Sequence, residues 1–130
     1  MVISDRSGLP VAARIASGPR HEQKLVAETI DSRFTRALPR LLIGDKAYDS
    51  DPLDAELKKR GIILVAPHHP RHRKTQDGRR LRRYKRRWHV ERLFAWLLRC
   101  RRVHTSYEVK PGNFLGFVWL ACLRILVRYL

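Results

Sequence analysis

Leu41-Leu42-Ile43-Gly44-Asp45 reads as a short buried strand that ends on an acid. The residues after Asp45 decide the fold class. Asp51 suits a helix N-cap, Pro52 the first helical position, and Asp54 adds negative charge at the positive end of the helix dipole. That helix is expected to run to Arg60 and to stop at Gly61. Ile62 to Val65 is then a second strand, ended by Pro67 and Pro70. Strand, helix and strand in this order predict an α/β fold with a mixed sheet flanked by helices. In open α/β sheets, active sites gather at the carboxyl ends of strands, and Asp45 stands at one.

Upstream, Val2-Ile3 and Val11 to Ile15 flank a turn containing Ser7-Gly8 and Pro10, which predicts a β-hairpin over residues 1–16. Gly18-Pro19 breaks the chain. Glu22 to Phe34 reads as a helix with Leu25, Val26, Thr29 and Ile30 on its inner side. Downstream, His68 to Arg80 is a polar, basic loop, and Leu81 to about Arg101 is a long basic helix. Thr105 to Gly112 connects it to a final helix, Phe114 to Leu130, capped by Asn113. The apolar run from Phe114 to Cys122 is short for a bilayer and is followed by Arg124 and Arg128, so a buried helix is expected.

The chain has 130 residues, 44% of them hydrophobic, which is enough for one domain with a modest core. Its formal net charge is +16. So small a chain repels itself strongly at that charge unless a polyanion neutralises it, and nucleic acid is the first candidate. Cys100 and Cys122 are far apart and form neither a disulfide framework nor a zinc motif. The N-terminus lacks the pattern of a signal peptide.

The positive charge concentrates between Arg79 and Arg102. Inside this stretch Tyr84, Arg87 and Glu91 share one helical face at spacings of three and four. Glu91 can be an ordinary helix ion pair with Arg87, or a metal ligand beside a phosphate-binding surface. Arg87, Glu91, Phe94 and Leu98 fall on nearly one stripe, so the carboxylate is expected to border the core. Asp45 likewise has two readings: an acid satisfied by loop amides, or a metal ligand on a rigid strand with Gly44 admitting close backbone approach. Asp49 and Asp51 fit turn and cap roles better. Trp88 and Trp96 are core anchors or base-stacking platforms. His68, His69 and His72 have no Cys or acid at ligand spacing, so phosphate contact or plain exposure is expected of them.

These residues together resemble the C-terminal part of a DDE transposase of bacterial insertion sequences, of the IS-four/IS-five type. The resemblance runs over nearly the whole chain. It rests on Gly8-Leu9-Pro10, Gly18-Pro19-Arg20-His21, Gly44-Asp45-Lys46-Ala47-Tyr48-Asp49-Ser50, Val90-Glu91-Arg92-Leu93-Phe94-Ala95-Trp96-Leu97, Arg101-Arg102 and Asn113-Phe114-Leu115. The family signature of Tyr, Arg and Glu is met by Tyr84, Arg87 and Glu91. Where that signature continues with a basic residue, this chain has Leu98, with Arg99 next to it.

The resemblance implies an RNase H-like fold, here truncated at its N-terminus with the first strand missing. It implies DNA strand cleavage and transfer at transposon ends, with magnesium in a two-metal site. Asp45 is then the second acid and Glu91 the third, both metal ligands. Tyr84, Arg87, Arg83, Arg86, Arg92, Arg99, Arg101 and Arg102 are the expected DNA contacts. The family's first acid lies on a strand before the hairpin, and Asp5, toward the hairpin turn, does not replace it. The metal site is therefore incomplete in this chain, and inactivity alone is expected. An upstream-frame transposase half and a homodimer are the further partners this reading admits, in a cytoplasmic, nucleoid-associated setting. Downstream half of a frameshifted enzyme and decayed remnant both stay open. The alternative function is a non-catalytic basic nucleic-acid-binding fragment.

Overall fold

The computed structural model describes residues 1–16, 22–68 and 84–129. It is mixed α/β. Strands β1 (Val2–Ser4) and β2 (Pro10–Ala13) form the antiparallel hairpin. Helix α1 (Glu22–Asp31), strand β3 (Leu41–Ile43), helix α2 (Asp51–Lys59) and strand β4 (Ile63–Val65) come next. The chain then forms α3 (Trp88–Leu98), the short α4 (Arg101–His104) and α5 (Pro111–Arg128).

The hairpin turn is built by Asp5. Its Oδ1 accepts from the backbone N–H groups of Ser7 and Leu9, both at 2.8 Å. Gly8 takes φ +79°, a conformation that side-chain-bearing residues rarely adopt. Pro10, which cannot donate to a ladder, sits opposite Ser4 where the register shifts. β2 ends at Ala13, short of the expected Ile15.

α1 also stops early, at Asp31 rather than Phe34. The chain leaves the helix to reach β2: Arg33 bridges Ala12, and the Phe34 N–H donates to the Val11 carbonyl at 2.7 Å. In α2, Ser50 is the cap residue and Asp51 the first helical one, a shift of one from the expected cap. The helix ends at Lys59 with Arg60 as its cap, one residue before the expected end, and Gly61 follows at φ +73°. β3 and β4 pair in parallel with Ile43 opposite Val65. β3 is only partly buried along its whole length, not fully as expected.

The long basic helix is divided. A 3₁₀ turn, Lys85–Arg87, leads into α3, and Cys100 adopts an extended conformation that separates α3 from α4. This bend lets Cys100 and Val103 both pack on the core that Leu93 and Leu97 enter. α5 starts at Pro111 with Lys110 as cap, ahead of the expected Asn113, because proline is preset for a first helical turn. α5 buries one stripe, Val118, Ala121, Cys122 and Ile125, and leaves Trp119, Leu120, Leu123 and Val127 exposed. The buried helix expected there is buried along this stripe alone.

Among the described residues the strands form two two-stranded sheets, β1–β2 and β3–β4, and not one mixed sheet. Two cores organise them. The first joins Ala13 of the hairpin to Leu93 and Leu97 of α3 and to the α5 stripe. The second joins Val26 and Ile30 of α1, Leu53 and Leu57 of α2, and Ile62. β1 serves both, because neighbouring strand residues point to opposite faces: Val2 packs on the first core and Ile3 on the second.

Candidate functional site

Tyr84, Arg87 and Glu91 come together as the sequence spacing predicts. Tyr84 and Arg87 have right-handed helical backbones, so the three side chains align on one side of the helical path. Arg87 Nη1 donates to the Tyr84 hydroxyl at 2.8 Å. Arg87 Nη2 and Nε donate to Glu91 Oε1 at 3.0 and 3.3 Å. The Glu91 hydrogen bond, then Tyr84, holds the already basic guanidinium still further above its usual range. In the Arg87–Glu91 pair the side chains are 41% and 60% exposed, so as an ion pair alone it contributes little.

The expected setting of Glu91 is corrected by α3's packing. Leu93 and Leu97 face the core, whereas Phe94 and Leu98 are 44% and 49% exposed. Glu91 shares that outer, partly apolar face. It borders solvent, not the core.

Asp45 lies elsewhere, at the exit of β3. Its Oδ1 accepts from the Ala47 N–H at 2.8 Å and caps the 3₁₀ turn Lys46–Tyr48. The turn is anchored to α1: Gln23 Nε2 donates to the Ala47 carbonyl at 2.6 Å, and the Tyr48 hydroxyl donates to Glu22 at 3.2 Å. Burial, then Glu22, raises the Tyr48 phenol well above the ordinary tyrosine range. Gly44 is required beside it, since a Cβ there would stand 2.9 Å from the Tyr48 ring. Among the described residues no hydrogen bond joins Asp45 to Glu91.

A pair that sequence reading missed stands at the same end of the β3–β4 ladder. His68 Nδ1 lies 2.9 Å from Asp49 Oδ1, and the Asp49 side chain is only 10% exposed. Nothing in the spacing of nineteen residues suggests the contact. The signal is the parallel register, which carries the exits of both strands to one place.

The arginines divide. Arg86, Arg99 and Arg101 are exposed and make no side-chain hydrogen bond among the described residues. Arg102 bonds Glu108 at 3.1 Å and lies over the Phe117 ring at 5.5 Å, yet with Arg101 and Tyr107 it lines a surface cavity of about 340 Å³. Arg92 is turned inward, between Trp88 and Trp96. Arg83, His69, His72 and the Gly18–His21 segment fall outside the described residues.

Divalent metals need several oxygen ligands at one point. Among the described residues no group of three or more His, Cys, Asp or Glu side chains is placed to hold an ion. Asp45 and Glu91 are instead each engaged locally, so the described residues do not by themselves make a complete metal site.

Comparison with known proteins places the chain in a family. The sequence matches the family described as "Transposase DDE domain" over residues 1–126. It is 30% identical to a candidate transposase for insertion sequence element IS402 from Burkholderia cepacia. That match covers 95% of this chain and 60% of the relative, so the chain spans about 60% of the relative's length. No solved structure matches it.

Proposed function

Because the chain belongs to the family of transposase DDE domains, we propose that it is the C-terminal part of a catalytic domain that cuts and joins DNA at the ends of an insertion sequence. The observation that supports this most is the Tyr84–Arg87–Glu91 network on a strongly basic helical segment. It keeps one carboxylate at a surface otherwise suited to phosphate. The family generally uses divalent metal ions, which activate the attacking oxygen and stabilise the leaving one. Magnesium is the expected ion. By motif position Asp45 and Glu91 are two of the acids that would hold it. Tyr84 and Arg87 orient a DNA phosphate, and exposed Arg86, Arg99 and Arg101 neutralise others.

On this reading the two ladders are halves of one RNase H-like mixed sheet. β1 and β3 are each ladder partners of a single strand among the described residues. Both contribute to the second core, through Ile3 and Leu42. One more strand between them, ending in the first acid, would join the halves and complete the site. Asp45 and Glu91 would then act together with an acid supplied from outside the described residues.

The test is strand cleavage by an assembled, complete transposase that carries this chain, given transposon-end duplex and magnesium. Asp45→Asn and Glu91→Gln are each expected to abolish strand cleavage while sparing duplex affinity. Cleavage at the unsubstituted rate by either variant would remove that residue from the reaction. The absence of a three-ligand cluster among the described residues favours a second reading, a non-catalytic basic nucleic-acid-binding fragment. Duplex binding without cleavage by the assembled protein would select it.

A further inference from the structure

Arg92 lies in the basic stretch but is folded back against the hairpin turn and is only partly exposed. Trp88 and Trp96, one turn before and after it, place their rings 4.7 and 4.9 Å from its guanidinium carbon. Such a stack suits a planar, weakly hydrated cation. Nη2 donates to the Ser7 carbonyl in the hairpin turn and lies 3.5 Å from His89 Nδ1. Nε is buried with no hydrogen-bond partner among the described residues. A group contacting a DNA phosphate would instead turn those donors outward.

The hairpin turn is shaped to receive this side chain. Gly8 is buried, and a Cβ added there would stand 2.6 Å from Arg92 Nη2. The stack also continues beyond Arg92. Trp96 lies on Tyr129, just past α5, with ring centroids 5.3 Å apart and planes at 27°. One guanidinium therefore links the hairpin turn, the outer side of α3 and the end of α5.

Glu91 is the neighbour of Arg92 and bonds only Arg87, on its own helical segment, among the described residues. Its place in the molecule is therefore that of the helix. We propose that Arg92 is a positioning residue: it docks the Glu91-bearing part of α3 on the Ser7–Gly8 turn and makes no phosphate contact. The significance for Glu91 rests on the transposase reading; the docking does not.

The 130-residue chain tests the docking in two ways, with Arg92→Ala, Arg92→Lys, Gly8→Ala and the exposed control Arg86→Ala. The first is duplex-DNA affinity across a salt series. Arg86→Ala is expected to reduce the slope of log affinity against log salt by about one, whereas Arg92→Ala leaves it unchanged. The second is amide hydrogen exchange. Arg92→Ala and Gly8→Ala are expected to accelerate exchange about tenfold or more in residues 5–9 and in the first turns of α3, and not in α2. Arg92→Lys does not restore protection, because an ammonium cannot stack on two indoles and keep the forked donors.

A slope reduced by about one in Arg92→Ala, with exchange unchanged, would make Arg92 a phosphate contact and overturn the proposal. So would acceleration spread equally into α2, which would mark a general loss of stability. In the assembled transposase Arg92→Ala is expected to lower kcat with KM for the transposon-end duplex unchanged. If the unsubstituted assembly does not cleave, the reading of Glu91 fails while the salt and exchange results still decide the docking.

Discussion

Cys122 shows how one buried side chain sets a pH limit. It is fully buried in the first core, and burial, then the nearby Cys100, pushes its thiol up to about 11 from 9.0. The folded-state value is raised, so the protonated thiol's contribution is complete below pH 9.0 and is lost as pH climbs through about 11. Stability is expected to fall across that window by a few kcal/mol at most, on the order of 1 kcal/mol per pH unit. Urea midpoints at both ends should show the fall in the unsubstituted chain and a flatter profile in Cys122→Ala. Glu91, by contrast, is exposed. Its exposed pairing with Arg87 predicts that Glu91→Gln changes stability by less than about 0.5 kcal/mol. A larger loss by thermal unfolding would mean that Glu91 carries structural load its exposure does not suggest. The Tyr84–Arg87–Glu91 alignment was legible because helical spacing alone produces it. The exposure of that face was not, because Leu93–Leu97 and Phe94–Leu98 are equivalent apolar pairs until a core selects one.

At the scale of elements, termini and lengths were read best where one residue's backbone chemistry decides them. Gly61 ends α2 at φ +73°, with nothing within 4 Å of an added Cβ. Gly61→Ala therefore measures backbone strain alone and is expected to cost about 1 kcal/mol in chemical denaturation. Leu57, fully buried on the inner side of the same helix, belongs to the packing regime. Leu57→Ala is expected to cost about 2–5 kcal/mol. Elements whose ends depend on distant partners were read less well. α1 stops at Asp31 because Arg33 and Phe34 pair with β2, and the basic helix divides at Cys100 because the core draws Cys100 and Val103 inward. Neither signal is local.

For the molecule as a whole, a net charge of +16 predicts binding dominated by counterion release. If about six phosphates are neutralised, duplex affinity should fall on the order of a thousandfold between about 50 and 200 mM salt. A salt-independent affinity would remove the phosphate-binding surface from the argument. Two short ladders, each two-stranded among the described residues, also predict modest stability, a midpoint below about 50 °C for the isolated chain, rising when DNA is added. By itself the sequence determined the α/β class, the strand–helix–strand order, the hairpin and the clustering of charge with one acid inside it. These arise from periodicity, turn chemistry and composition, which act over a few residues. The tertiary structure alone decided the division into two sheets, the pairing of His68 with Asp49 and the separate local engagement of Asp45 and Glu91. It also turned Arg92 inward between two indoles while Arg86 stayed in solvent. Those outcomes depend on which apolar faces find one another, and residues of identical local character are told apart only by that packing.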